Sequence, residues 1–145
     1  PMSNLTMIEV PSYGLYEFQY TACNVSSSID VGFSCELDVP NVITANNDGS
    51  NDEFEIAGLN SDLYSNSLLT VFDRWGVVVY IQPNYGLNGN WWKGEINLDS
   101  DMDDYAQRSG QQMVNDGVYY YVLDLFNKAQ RQKESYTGHI MILKD

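Results

Sequence analysis

Asp116-Gly117-Val118-Tyr119-Tyr120-Tyr121-Val122-Leu123-Asp124-Leu125 places Tyr119, Tyr121, Leu123 and Leu125 on every second position. A period of two belongs to a strand with one buried side. Upstream, Gly14-Leu15-Tyr16-Glu17-Phe18-Gln19-Tyr20 repeats the figure, with Tyr16, Phe18 and Tyr20 on one face. A turn follows, and Ile29, Val31 and Phe33 alternate in a second strand. Both stretches open on Gly-x-Tyr. That is the opening of a tyrosine corner, whose ring is buried while its hydroxyl returns to nearby backbone. Such a corner starts the penultimate strand of an immunoglobulin-like sandwich, so one last strand is expected over 135–143.

Reading outward, Val, Ile, Tyr and Phe enrichment predicts strands at 37–43, 53–57, 67–74, 77–82, 90–96, 117–125 and 135–143. No window carries a helical stripe longer than two turns, and 60–66 is expected to make one short turn at most. The fold class is therefore all-β, an immunoglobulin-like sandwich of about seven antiparallel strands, preceded by a terminal hairpin. About 36 residues in two or three strands cannot bury a core. Residues 1–36 are thus expected to be the closing strands of an upstream immunoglobulin-like repeat, and 37–145 one complete domain. Gly76 supplies the permissive backbone for a tight reversal after Phe72-Asp73-Arg74-Trp75. Residues 98–115 read as a long acidic surface loop.

Charge narrows the partners. Residues 1–73 hold 11 acids and no Lys or Arg, and 74–145 hold 9 acids and 7 bases, so −11 and −2 give the net −13. Nucleic acid needs a basic footprint, and anionic lipid is disfavoured for the same reason. No apolar run is long enough to span a membrane. No basic, apolar leader opens the chain, and Pro1-Met2 reads as an arbitrary boundary. Cys23 and Cys35 each adjoin a strand and are candidates for a disulfide, although sequence cannot supply their separation. With one remote His they fall a ligand short of a zinc set.

The ordered blocks now converge. Val39-Pro40-Asn41-Val42-Ile43-Thr44-Ala45-Asn46-Asn47-Asp48-Gly49-Ser50-Asn51-Asp52-Glu53-Phe54 resembles the P-N-x-F-T-P-N-G-D-G-x-N-D-x-F opening of type B C-terminal domains of the type IX secretion system of Bacteroidota. These are also described as gliding-motility-associated C-terminal domains. Leu69-Thr70-Val71-Phe72-Asp73-Arg74-Trp75-Gly76-Val77-Val78-Val79-Tyr80 is similar to that family's L-x-I-F-N-R-W-G-x-x-V-Y strand pair. Trp91-Trp92-Lys93-Gly94 resembles its W-D-G turn. Asp116 to Tyr121, and Tyr136-Thr137-Gly138-His139-Ile140-Met141-Ile142-Leu143, resemble its D-G-x-Y-Y-Y and G-x-I-x-L strands. Ala45 stands where the family has Pro, Asn47 where it has Gly, and Lys93 where it has Asp.

The resemblance implies a sorting signal on a larger surface protein or adhesin. It would be read by the type IX outer-membrane translocon and its shuttle or attachment proteins. Export would carry it across the outer membrane of a Gram-negative bacterium to the cell surface or the medium. The alternative from the residues is an adhesive module binding carbohydrate or protein, with Trp75, Trp91, Trp92, Tyr80 and Tyr85 as an aromatic platform. Sandwich cores also need large aromatics, and core or turn packing is expected for most of these; adjacent Trp91 and Trp92 must face opposite sides of a strand, so one is expected in the core.

Thr44, Asn46, Asp48, Ser50, Asp52 and Glu55 space their oxygens as a calcium loop does, with Gly49 at the bend. The same residues suit an Asx/Gly turn that needs no cation. Calcium is the sole cofactor expected. The run Asp99, Asp101, Asp103 and Asp104 lacks the bend glycine and reads as a solvated loop. His139 is the sole histidine and no nucleophile elbow accompanies it, so no enzyme is expected.

Overall fold

The computed structural model describes residues 7–11, 14–33, 36–97 and 113–144. Seven strands form, in two sheets, and no helix occurs among the described residues: β1 (Gly14–Ala22), β2 (Val25–Phe33), β3 (Val42–Thr44), β4 (Tyr64–Phe72), β5 (Val78–Pro83), β6 (Gly117–Asn127) and β7 (Gln132–Leu143). The two-stranded sheet is the hairpin β1–β2, and the five-stranded sheet runs β3-β7-β6-β4-β5. The all-β reading holds.

β6 and β7 pair without a register break from Gly117–Ile142 to Asn127–Gln132. Alternation follows as expected. Tyr119, Tyr121, Leu123 and Leu125 of β6 are buried, facing inward with Ile140 and Ile142 of β7 and Leu69 and Val71 of β4. The tyrosine corner closes as read: Tyr119 donates its hydroxyl to the Asn115 carbonyl at 2.9 Å. Gly138 is glycine because Tyr121 lies over it; a Cβ there would stand 2.7 Å from the phenol oxygen. Asn127, buried at the end of β6, organises the β6–β7 turn by accepting the N–H groups of Ala129 and Gln130.

Three expectations need correcting. The segment 37–43 is not one antiparallel strand. Asp38 bridges Ala57, Pro40 interrupts, and only 42–44 continue as β3, which runs parallel to β7. The segments 53–57 and 90–96 are not ladder strands either. Phe54 donates its N–H to the Trp92 carbonyl at 2.7 Å, but the reciprocal bond is opened by an inserted phenol. Tyr85 donates its hydroxyl to the Phe54 carbonyl (2.6 Å) and accepts the Trp92 N–H (3.0 Å). Residues 60–64 make a single i→i+4 closure, Tyr64 N–H to Asn60 O, and β4 begins at Tyr64, three residues earlier than expected.

These irregular segments cover the inner face of the five-stranded sheet. Phe54, Ile56, Tyr85 and Trp92 are almost wholly buried, and Leu37 and Leu59 join them. Phe54 meets Tyr121 at 5.3 Å between ring centroids, and Trp92 meets Tyr80 at 5.6 Å. Trp92 also donates its indole N–H to the Glu95 carbonyl at 2.8 Å, so its one polar atom is satisfied.

The hairpin β1–β2 touches the rest at the far end of the sheet. Gly32 lies against Ala129 so closely that a Cβ would come within 1.9 Å of the alanine methyl. Arg131 pairs with Asp30 at 3.6 Å. The hairpin's other face carries Tyr16, Phe18, Tyr20 and Ile29, with Tyr20 and Ile29 well exposed. Cys23 is exposed at the β1–β2 turn, and Cys35 lies outside the described residues, so the expected disulfide falls there too.

Tyr85→Phe keeps the ring but strands the Trp92 N–H and the Phe54 carbonyl in a dry core. Each such orphan costs about 1–3 kcal/mol. Urea denaturation is expected to show a loss of at least that size with an unchanged m-value; a loss below about 0.5 kcal/mol would show the phenol to be dispensable.

Candidate recognition surface

The motif residues of the chain collect at one end of the five-stranded sheet. That end is where β4 and β7 finish and β6 begins, since Phe72 pairs with Tyr120 and Tyr120 with His139. Ala45 N–H donates to the Leu143 carbonyl at 2.8 Å, tying the 44–52 loop to the tip of β7. A Cβ on Gly94 would lie in ordinary contact with Ala45 and Val114, so the Trp91–Gly94 turn abuts the same loop. Asp73 to Gly76 form the β4–β5 turn beside Asn115, Asp116 and Gly117, around a shallow cavity. The β6–β7 turn, which holds the hairpin, is eleven residues of β7 away, roughly 36 Å at strand rise.

The β4–β5 turn is built by Asp73. Its Oδ1 accepts the N–H groups of Trp75 and Val77, both at 2.9 Å. Gly76, at φ +80°, takes the left-handed step that lets the strand return. The turn leaves Trp75 72 % exposed, with the Arg74 guanidinium 4.1 Å from the ring centroid. The other aromatics of the alternative platform are not beside it, and core packing holds for most of them as expected. Trp92, Tyr80 and Tyr85 are core residues. Trp91 is half-buried, edge-on to Tyr85 at 5.5 Å and packed over Gly86. The sequence placed one tryptophan of the pair inside; Trp92 is the one.

The 44–55 loop closes on its own hydrogen bonds. Asp52 accepts the Asn47 N–H on Oδ1 and the Gly49 N–H on Oδ2, both at 2.7 Å. Asp48 accepts the Ser50 N–H at 2.8 Å and the Asn46 amide at 3.1 Å, and Asn46 accepts the Asp48 N–H. Thr44 donates its hydroxyl to the Ser50 carbonyl at 2.8 Å. Asn47, Gly49 and Asn51 all adopt positive φ, which these residue types tolerate. Glu55 stands outside this network, exposed on the following segment. Five of the six candidate calcium residues are thus brought together. Their carboxylates accept backbone N–H groups of the same loop. Among the described residues, no three His, Cys, Asp or Glu side chains gather as a metal-holding group. The run Asp99 to Asp104 lies outside the described residues.

Lys93, standing where the resembling family carries Asp, reaches across to Glu53 at 2.8 Å. The N–H of Lys93 is taken instead by the Glu95 carboxylate at 2.9 Å. Sequence reasoning did not find that replacement, because the compensating acid lies two residues downstream of the motif.

Backbone N–H donation, from Gly49 above all, holds the Asp52 carboxyl below its ordinary value. A depressed carboxyl stabilises the fold above its unfolded pKa near 4 and ceases to as pH falls through the folded value. Asp52→Ala is therefore expected to lower the melting midpoint at pH 7, with the gap from the parent closing below about pH 4. A gap that persists unchanged in acid would remove the carboxylate from the account. A chelator is expected to leave the parent's midpoint where it is; a rise in midpoint on adding calcium would assign the loop a cation.

No curated protein and no solved structure matches the chain. A family model does: that of the CHU_C type IX secretion signal domain covers residues 37–142. It begins where the inner layer begins, at Leu37, and takes in the 44–52 loop, the Asp73–Gly76 turn, Trp91–Gly94 and β7 up to Ile142. The chain belongs to the type IX secretion signal domains, whose function is to direct export across the outer membrane to the cell surface or beyond.

Proposed function

We propose that this domain is an immunoglobulin-like sandwich that is recognised at its motif-bearing end while its cargo is carried from the opposite end. One observation supports this above others. All the motif blocks meet at the end of the sheet where β7 terminates, and the hairpin of residues 14–33 docks at the other end through Gly32–Ala129 and Asp30–Arg131. Roughly 36 Å of β7 runs between the two ends.

Support for the sandwich comes from strand order. A central β7-β6-β4-β5 run, with a short parallel β3 on β7 and a tyrosine corner on β6, is the arrangement of one sheet of such a fold. The second sheet is reduced to the segments around Asp38, Phe54–Ala57 and Trp92, joined by one reciprocal pair of bonds between Asp38 and Ala57 and one direct bond from Phe54 to Trp92. The hairpin β1–β2 is the closing ribbon of an upstream repeat, because a two-stranded sheet with Tyr20 and Ile29 open to water is not self-sufficient. The domain acts by being bound and carries out no chemistry: its sole histidine, His139, sits exposed on the outer face of β7. The partners are the outer-membrane translocon and its shuttle or attachment proteins. The adhesive reading loses its aromatic platform to the core.

A reporter fused ahead of the whole chain is expected to reach the cell surface or medium only in a host carrying the export system. Retention in the periplasm of that host would end the proposal. Trp75→Ala is a surface change expected to move stability by no more than about 0.5 kcal/mol, yet to reduce delivery. Equal delivery by this variant would remove Trp75 from the recognised end.

A further inference from the structure

The five-stranded sheet has two edges, and they are treated differently. At the β5 edge, Asn97 N–H donates to the Val79 carbonyl at 3.0 Å and Asn97 Nδ2 to the Ile81 carbonyl at 3.2 Å. Pro83 ends that strand, and a register shift between Val71 and Phe72 bends it. Such covering, proline and bulging are the usual protections of a sheet edge. At the opposite edge, β3 covers β7 only from Met141 to Leu143.

Among the described residues, no strand pairs with the rest of that edge. Met141 donates its N–H outward to the Asn41 carbonyl at 2.8 Å, and Leu143 accepts from Ala45 on the same side. Backbone direction alternates along a strand, and β7 pairs with β6 with no register break. Lys133, Ser135, Thr137 and His139 therefore also point their N–H and C=O groups to the outer edge. Among the described residues, none of these groups has a hydrogen-bond partner, and all four residues are exposed. Four residues with one donor and one acceptor each give eight aligned backbone groups, over roughly 20 Å of strand. No proline lies in this stretch. Its one acid, Glu134, is held by Asn127 and Tyr136. Neither β1 nor β2 packs against β7.

We propose that the Lys133–His139 edge of β7 is a strand-addition site that takes an extended segment of the outer-membrane export machinery. The proposal rests on the sorting function. The occupant is an extended peptide, because eight alternating donors and acceptors are met together only by another strand. It is neutral or basic, because the chain carries −13 and would repel a second copy of itself. The half-buried Tyr136 ring borders the edge on the inner face and gives the added strand an aromatic surface to lie against.

Proline tests it cleanly. Thr137 and Ser135 turn their N–H groups outward, so a proline there removes no bond to β6. Thr137→Pro and Ser135→Pro, in the whole chain fused to a reporter, are expected to keep the parent's circular dichroism while reducing surface delivery about tenfold or more. Thr137→Ala and Ser135→Ala, which keep the N–H, are expected to deliver as the parent does. Folded proline variants that deliver normally would overturn the proposal. Should either proline variant fail to fold, hydrogen exchange on the parent decides. The four odd-numbered amides from 133 to 139 are expected to slow about tenfold or more when the chain is bound to solubilised export machinery. Unchanged exchange there would overturn the proposal. So would protection in the free chain accompanied by a dimeric mass, which would make the occupant a second copy. Failure of the parent itself to be delivered would instead sink the sorting reading.

Discussion

A single phenol joins the two inner-layer segments that carry Phe54 and Trp92. Phe54 and Trp92 approach as two strands would, and one of their two reciprocal hydrogen bonds is direct. The other passes through the Tyr85 hydroxyl, which donates to one carbonyl and accepts one N–H. A hydroxyl has one donor and acceptor capacity to spare, so it can occupy the gap without leaving a group unmade. Burial pushes the Tyr85 phenol far above its ordinary pKa, which keeps the proton it donates. Ser67, buried under β4, donates to the Tyr85 carbonyl at 2.8 Å and fixes the residue from the sheet side. Without that insertion, a single direct hydrogen bond, from the Phe54 N–H to the Trp92 carbonyl, would join the two segments.

This arrangement explains what the sequence made legible. β6 and β7 were readable because one face is buried and the other wet, so apolar side chains fall on alternate positions. The Asp73–Gly76 turn was readable because its chemistry is local: one carboxylate, two N–H groups and a glycine. Segments 53–57 and 90–96 carry equally apolar residues, yet a wedge of side chain has replaced part of their pairing. The bridging role of Tyr85 was hidden because no local pattern marks a tyrosine whose partners lie 31 and 7 residues away. The parallel pairing of β3 was equally hidden. It follows from Pro40, which cannot continue a ladder, and from Asn41 reaching a strand a hundred residues later.

The candidate site shows the same division. The loop at 44–55 was identifiable from its Asn, Asp and Gly content, and five of its six named residues do assemble. Spacing alone could not distinguish oxygens gathered around an ion from oxygens turned toward backbone N–H groups. Both patterns need short polar side chains and a residue at positive φ. Asp52 points where the backbone of Asn47 and Gly49 donates to it, a contact no spacing in the sequence displays.

Stability and recognition are divided between the faces and edges of one sheet. The inner face is filled with aromatics whose polar atoms are met within the protein: Tyr85 by Phe54 and Trp92, Tyr119 by Asn115, Trp92 by Glu95. Tyr136, at the border, has its phenol pushed up to about 12 by burial and then by Glu134, so it stays neutral beside the open edge. The motif end is held by hydrogen bonds of its own loops and does not depend on the cargo. A signal built this way can fold to one shape whatever precedes it. The open backbone of β7 then presents donors and acceptors whose spacing is set by the strand and not by any side chain. That suits a tag carried by different cargoes, since the backbone is the part of a β-sheet that substitution alters least.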